Sequence, residues 1–372
     1  MIKKYLQKIF KRVSYYLFLK IYGPITGSIN SDSNNRIKVK IKNVKNNINY
    51  KVYIISNGRL YTDRLHDAAA IIDNKIIEGP SFQLRAGPEA TIQFSKASNS
   101  IVFSKGTPRK LKKLNGTTLS LLTGGGGNNN YWHWLYDVLP KLSLCSNFVD
   151  LKKIDFFLFP NLERKFQNET LDFLGIPVHK RISSKKFRHI ESKELIITDH
   201  PVVITGNATQ DIQNIPKWII LWLKQNFIKK NLPTTSKKIF IDRNDDVSSS
   251  RSLRSISNEK EVKEYLLKSG FTIIKLHKIH FNEQVDLFYN AKCIVGLHGG
   301  GFANISFCKA NTKIIELKSF SSGDAIKNLA IKNQLIYKAI ISEYTEKPDF
   351  NFSTAQGSIH VPINKLIEVL ES

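Results

Sequence analysis

From residue 237 onward the chain alternates short apolar runs with amphipathic stretches, and no other feature restricts its fold as strongly. Runs at 239–241, 271–276, 293–297 and 313–317 have the length and the β-branched or aromatic content of strands. Helix-length segments at 258–270, 282–290 and 302–308 separate the later ones; Asn258 with Glu261 reads as a helix start and Gly270 as its stop. Alternation of this kind predicts a parallel sheet covered by helices. In such a sheet ligands bind beyond the carboxyl ends of the strands. Those ends carry Asp242 and Arg243, then His298 followed by three glycines, then Glu316. Three polar strand ends make one candidate pocket.

Its residue types fit a phosphorylated ligand. Gly299, Gly300 and Gly301 lie between a strand and a helix, where bare backbone lets N–H groups approach an anion. The spacing is neither the dinucleotide fingerprint nor a Walker A loop, and a plain tight turn is the other reading. His298 before the glycines and Asn304 after them favour a phosphate cradle. Arg243, Arg251 and Arg254 flank a Ser-rich loop at 247–257. Guanidinium forks suit diphosphate oxygens, although a solvated basic loop has the same composition. Glu316 is placed to accept two ribose hydroxyls or to form an ordinary ion pair.

At 372 residues the chain has room for two domains. The first half reads as strands at 36–42, 50–55, 90–94 and 100–103, then a loop at 124–130 of four glycines and three asparagines. A helix is expected from Tyr131 through Leu139, strands at 155–159 and 194–198 with a helix at 166–174 between them, and a helix at 216–230 before a linker at 231–236. The region 131–200 is expected to form a second sheet-and-helix unit. On its first helix His133 and Asp137 are four apart and so share a face. An imidazole leaning on a carboxylate is a plausible general base near neutral pH, and equally a structural pair. Trp132 and Trp134 beside it could stack on a sugar or fill the core.

Lys and Arg number 56 against 31 acids, a net charge of +25, and residues 1–60 hold 13 of the basic residues with Asp32 as their one acid. Such a surface seeks phosphate, on nucleic acid, a nucleotide or an anionic membrane. Residues 2–22 place Ile2, Tyr5, Leu6, Ile9, Phe10 and Val13 at helical spacing, with Lys3, Lys4, Lys8, Lys11 and Arg12 elsewhere on the wheel. That pattern describes a helix lying in an anionic interface or docked on its own protein. The segment lacks the features of a cleaved signal. Cys145, Cys293 and Cys308 are too few and scattered for a disulfide framework, which points to a reducing compartment. No Asp-x-Asp occurs and His277-x-x-His280 lacks zinc-helix spacing, so no metal and no cofactor are expected.

Together these residues resemble the family 61 glycosyltransferases. The run 130–140, with Asn130, Trp132, His133, Trp134, Leu135, Asp137, Leu139 and Pro140, is similar to the family's His-Trp-Leu-x-Asp-x-Leu-Pro signature. Arg254 with Asn258 and Glu259 resembles its Arg-x-x-x-Asn-Glu element, and Phe281, Glu283 and Gln284 its Phe-x-Glu-Gln. The run 298–304 resembles His-Gly-Ala-Gly-Leu-Thr-Asn, and Ile315-Glu316 the downstream Ile/Val-Glu. Gly300 stands where Ala is usual, and Phe302-Ala303 where Leu-Thr is usual, so the donor loop departs from the family.

The resemblance covers about 115–320. It implies a GT-B-like α/β fold of two Rossmann-like domains facing across a cleft, an inverting mechanism, a nucleotide-sugar donor and no required metal. His133 and Asp137 would be catalytic. Arg243, Arg251, Arg254, Asn258, Glu259, His298, Gly299, Gly300, Gly301, Asn304 and Glu316 would bind the donor. Asn130, Trp132 and Trp134 would lie on the acceptor side. The corresponding division is a basic helix at 1–23, an acceptor-side domain at 24–212, a connecting helix and linker at 213–236, a nucleotide-sugar domain at 237–345 and a tail with a helix at 346–372. The chain looks most like bacterial members that act in capsule or lipopolysaccharide assembly on the inner face of the cytoplasmic membrane. Their acceptor is a glycan or lipid-linked glycan, and no nucleic-acid partner is expected. Two other classes fit less: a non-catalytic basic protein leaves His133, Asp137 and the 298–304 loop unexplained, and a dinucleotide oxidoreductase has the wrong glycine spacing.

Overall fold

The structure, a computed structural model, describes residues 2–44, 48–64, 67–87, 91–104, 107–123, 129–229, 236–243, 254–346 and 357–372. Residues 124–128 of the loop at 124–130, Arg251 and most of loop 247–257 and linker 231–236 lie outside them. The chain divides into two compact units, Met1–Asp211 and Ile212–Ser372.

The apolar runs of the second unit form a five-stranded, all-parallel sheet. Its spatial order is Phe271–Ile274, Lys237–Ile241, Ala291–Leu297, Lys313–Ser319, Ile336–Ser342. The inner strands are buried almost end to end, as helix cover on both faces requires. From Lys237–Ile241 the chain first steps to one side and then returns to the other. This reversal puts a topological switch point between Lys237–Ile241 and Ala291–Leu297, where doubly wound sheets open a crevice. Helix Glu259–Lys268 ends at Gly270, whose φ of +80° an L side chain resists. Two boundaries differ from expectation. Helix Lys217–Phe227, expected as a connector, packs Phe227 against Phe281 and Phe307 inside this unit. The expected tail adds strand Gly357–Ile359 and helix Ile363–Glu371, whose Leu366 is buried in the same core as Val295 and Leu317.

The first unit is built on a mixed sheet of eleven strands. At its centre the 15-residue strand Ile48–Thr62 runs antiparallel to His189–Thr198 on one side and to Ile37–Val44 and Asp67–Ile72 on the other. Beyond His189–Thr198, strands Lys112–Ser120, Phe156–Phe159 and Arg181–Ser183 continue in parallel. Only this latter half has the expected α/β character. The other half is a set of antiparallel hairpins, to which Ser28–Ile29 adds one short parallel pairing with Lys75–Ile77. One hairpin turns on Asp73 and Asn74 with φ of +48° and +55°, the two-residue geometry that matches strand twist. The run expected as a strand at 100–103 instead links the 3₁₀ turn Ala97–Asn99 to a second one, Val102–Ser104, which takes in its last two residues.

Helix Ile2–Tyr22 is attached by its last turns. Phe18 is buried among Tyr61, Phe103 and His189, and the Tyr22 hydroxyl accepts the Leu111 amide at 3.0 Å. Burying one phenyl ring contributes roughly 1.5–3 kcal/mol, enough to hold this end. Tyr5, Leu6, Ile9, Phe10 and Val13 stay exposed. Among the described residues no helix is long and apolar enough to cross a membrane.

Candidate functional site

In the first unit a helix starts at Asn130, whose side chain accepts the Trp132 amide at 2.9 Å. After Tyr131–His133 it widens into a π-helical turn, Trp134–Val138, closed by the Leu139 amide on the Trp134 carbonyl, and resumes at Pro140–Ser146. Pro140 has no amide to give, and the wide turn relieves the clash of its ring with the preceding turn. His133 Nδ1–H donates to Asp137 Oδ2 at 2.7 Å, which leaves Nε2 as the ring atom able to take a proton. Burial disfavours the imidazolium, but the Asp137 charge and hydrogen bond outweigh it, and the His133 pKa is raised above its ordinary 6.5. Asp137 is 3% exposed, and its Oδ1 has no hydrogen-bond partner among the described residues.

Three further ionisable groups surround this pair. His200 Nε2 lies 3.8 Å from Asp137 Oδ2, while its Nδ1 accepts the amides of Val202 and Val203 at 3.1 and 2.8 Å. A nitrogen that accepts carries no proton, so the ring is neutral with its hydrogen on Nε2. Burial pushes the His200 pKa down to about 4. Lys141, one turn beyond Asp137 and 1% exposed, donates to the Thr198 carbonyl at 3.0 Å; burial lowers its pKa to about 8. Asp199 is raised by burial against the hydrogen bonds that favour its charge. His189, packed at the far end of the same strand, is likewise pushed down to about 4, by burial first and by Arg59 as well.

These two depressed histidines set an acid limit. The unfolded chain takes up their protons as pH falls below 6.5, and the folded unit does so only near 4. Each histidine should therefore remove about 3 kcal/mol of stability across that window. Denaturant melts of His200→Gln and His189→Gln should show a flatter loss between pH 6.5 and 4 than the parent. Parallel pH profiles would refute the assignment.

In the second unit the switch point is lined from three strand ends. Arg243 Nη1 donates to the His298 carbonyl at 2.6 Å and lies so close to Gly299 that a β-carbon there would stand 2.2 Å away. His298 Nδ1–H donates to Glu316 Oε1, and the Tyr337 hydroxyl donates to Glu316 Oε2 at 2.5 Å. Glu316 is fully buried. Arg254 enters from strand Arg254–Ile256; burial and then the neighbouring Arg243 charge lower its pKa to about 10. Two guanidiniums with a buried flank beside the 3₁₀ helix Gly300–Phe307 make an electropositive corner.

Residues 131–315 match the family model Glycosyltransferase 61. The chain carries a glycosyltransferase 61 domain. It is a glycosyltransferase, and the matched segment holds both the His133–Asp137 pair and His298. A comparison with curated proteins gave no match.

The glycosyltransferase brings Arg243, Arg254, His298, Gly299 and Glu316 together, but several roles differ from those expected. Glu316 has no exposed surface to offer a ribose, and its oxygens accept from His298 and Tyr337; it fixes the His298 ring. Asn304 is fully buried and donates to Gln284 Oε1 at 3.0 Å, so it braces the loop from beneath. Asn258 ties the helix start to Val361 by two hydrogen bonds, and Glu259 pairs with Lys263, which also holds Asp242. Trp134 has no exposed surface and donates its indole N–H to Thr170 at 2.9 Å, which makes it a core residue; Trp132 packs on Tyr136 at the margin of that core. Asn130 is a helix cap.

His200, Asp199, Lys141 and Tyr337 were not singled out from the sequence. Asp199 and His200 follow the strand expected at 194–198, so they lie beyond a strand's carboxyl end as Asp242 and His298 do. Among the described residues no group of three His, Cys, Asp or Glu side chains is placed to hold a metal ion.

Proposed function

We propose that this glycosyltransferase transfers a sugar from a nucleotide-sugar donor to a glycan or lipid-linked glycan acceptor in one inverting displacement without a metal ion. The single observation that carries the reading is the His133–Asp137 pair inside the matched segment, a base of raised pKa whose Nε2 is left to take a proton. In the proposed reaction His133 Nε2 accepts the acceptor hydroxyl proton as that oxygen bonds to the anomeric carbon. The bond from that carbon to phosphate breaks, and the electron pair leaves with the nucleotide. Asp137 stabilises the imidazolium. Arg243, Arg254 and the backbone at 299–301 meet the charge that grows on the leaving phosphate.

The test is to incubate the full chain with UDP-, GDP- and CMP-sugars and follow nucleotide release, with and without EDTA. Turnover of one donor class that survives EDTA is expected. Turnover of none would overturn the assignment of a nucleotide-sugar donor, and loss in EDTA would overturn the metal-independent step.

Capsule or lipopolysaccharide synthesis is the proposed setting, since both present acceptors at the inner membrane face. The exposed apolar side chains Tyr5, Leu6, Ile9, Phe10 and Val13, among five basic residues up to Arg12, support contact with anionic lipid. Five such charges would contribute roughly 5 kcal/mol near an anionic surface. Removing residues 1–13 should abolish sedimentation with phosphatidylglycerol vesicles and leave the first unit folded, because Phe18 and Tyr22 remain. Undiminished vesicle binding would defeat this proposal.

A further inference from the structure

The first unit contains a cavity of about 360 Å³ that the proposed chemistry does not use. Its floor is buried, with Tyr50, Leu122, Lys141 and Thr198, and its rim is exposed at Asn49, Ile204 and Thr205, so it opens to solvent. The volume lies at the small end of ligand pockets, which run from about 300 to 1,000 Å³. It suits one ring rather than a whole nucleotide sugar.

The walls are of two kinds. Phe82 and Phe94, from neighbouring antiparallel strands with ring centroids 6.2 Å apart, give an apolar side. Lys141, Asp199, His200 and Ser95 give a polar side. The Lys141 ammonium has three protons and one protein acceptor among the described residues, the Thr198 carbonyl. A buried ammonium so thinly satisfied, facing open volume, calls for further oxygen acceptors. Asp199 next to it accepts. A ligand that both donates and accepts on one edge and presents C–H groups on its face satisfies both walls, and a pyranose has those properties.

His200 places this cavity in relation to the reaction. Its ring lines the wall, packs on Phe94 at 5.9 Å, and brings Nε2 to 3.8 Å from the carboxylate that holds His133. A sugar in the cavity is thus one imidazole away from the His133–Asp137 pair. We propose that this cavity is an acceptor-glycan subsite that takes one pyranose ring of the chain being extended, a reading that rests on the glycosyl transfer proposed above.

Saturation-transfer NMR on the full chain tests it, with the methyl pyranosides of glucose, galactose, mannose and N-acetylglucosamine, and with glucuronic acid, as probes. At least one probe should bind. Ile204→Trp adds bulk at an exposed rim position that no core packing depends on. It should weaken that probe at least about tenfold while nucleotide release from the donor in water changes by less than about twofold. Lys141→Met, which keeps the length and removes the ammonium, should weaken the same probe. Failure of all probes to bind, or binding indifferent to Ile204→Trp, would overturn the subsite. A probe that binds and is blocked by Ile204→Trp in a protein that turns over no nucleotide sugar would leave the subsite standing and overturn the reaction instead.

Discussion

Replacing His133 by alanine is expected to lower the rate of sugar transfer by about 10²–10⁴, the usual contribution of a general base, and to leave donor affinity unchanged. An acceptor hydroxyl is a poor nucleophile until its proton is taken, and His133 Nε2 is the atom left for that task once Nδ1–H is given to Asp137. The pH dependence separates this base from its partner. Neutral imidazole accepts the proton and imidazolium cannot, so transfer falls as pH drops through the His133 pKa. Because that pKa is raised, the acidic limb should lie above 6.5. In Asp137→Asn the charge that raises it is gone, a hydrogen bond to a neutral amide favours the imidazolium less, and burial, which lowers it, remains. The limb should then move to lower pH while the plateau rate drops because the imidazolium loses its counter-charge. Measurements of kcat and KM across pH 5 to 9 on both variants, at about one-unit steps, would decide it. A fully active His133→Ala enzyme, or one in which only Asp137→Asn is inactive, would make Asp137 the base.

The half-exposed edge strand Ile336–Ser342 was not legible in the sequence, but the inner strands of the second unit's sheet were, because they are buried on both faces. Such strands show as uninterrupted apolar runs, and the run ending in Leu297 could be placed from its composition alone. The position of Glu316 on that sheet followed from the same logic, but its role did not. Whether a carboxylate faces a ligand or a histidine depends on Tyr337, contributed by a strand 21 residues later. Trp134 was ambiguous for a related reason: an indole beside the His133–Asp137 pair serves a sugar or a core equally well until Thr170 is seen to take its N–H. In the first unit the long central strand Ile48–Thr62 mixes buried and exposed positions along its length, because its partner changes from Ile37–Val44 to Asp67–Ile72 halfway. That exchange breaks any simple period: strands were legible at 36–42, 50–55 and 90–94, but not the full length of Ile48–Thr62 or its pairing with Asp67–Ile72.

Arg243→Ala should weaken the donor and the free nucleotide diphosphate by about tenfold to a hundredfold, the equivalent of one charge-assisted hydrogen bond of roughly 1.5–3 kcal/mol. The two guanidiniums repel each other. Arg254 is pressed toward deprotonation by burial and by Arg243, yet with a pKa of about 10 it keeps its charge at neutral pH. Two like charges are thus held together beside a backbone that only glycine at 299 lets Arg243 approach so closely. A diphosphate placed between them exchanges this repulsion for two attractions. Arg243→Lys should not restore affinity, since a point charge replaces a planar fork. The effect must fall on donor binding, so calorimetric titration with nucleoside diphosphates should report it directly, and KM should rise more than kcat falls. Saturating nucleotide at 100 times its Kd should stabilise the parent by about 2.7 kcal/mol, a gain that falls to about 0.4–1.4 kcal/mol in the alanine variant at the same concentration. His133→Ala, by contrast, should keep the full thermal shift. If Arg243→Ala binds nucleotide as tightly as the parent, the donor phosphates lie elsewhere, and the arginine serves only to hold the His298 carbonyl.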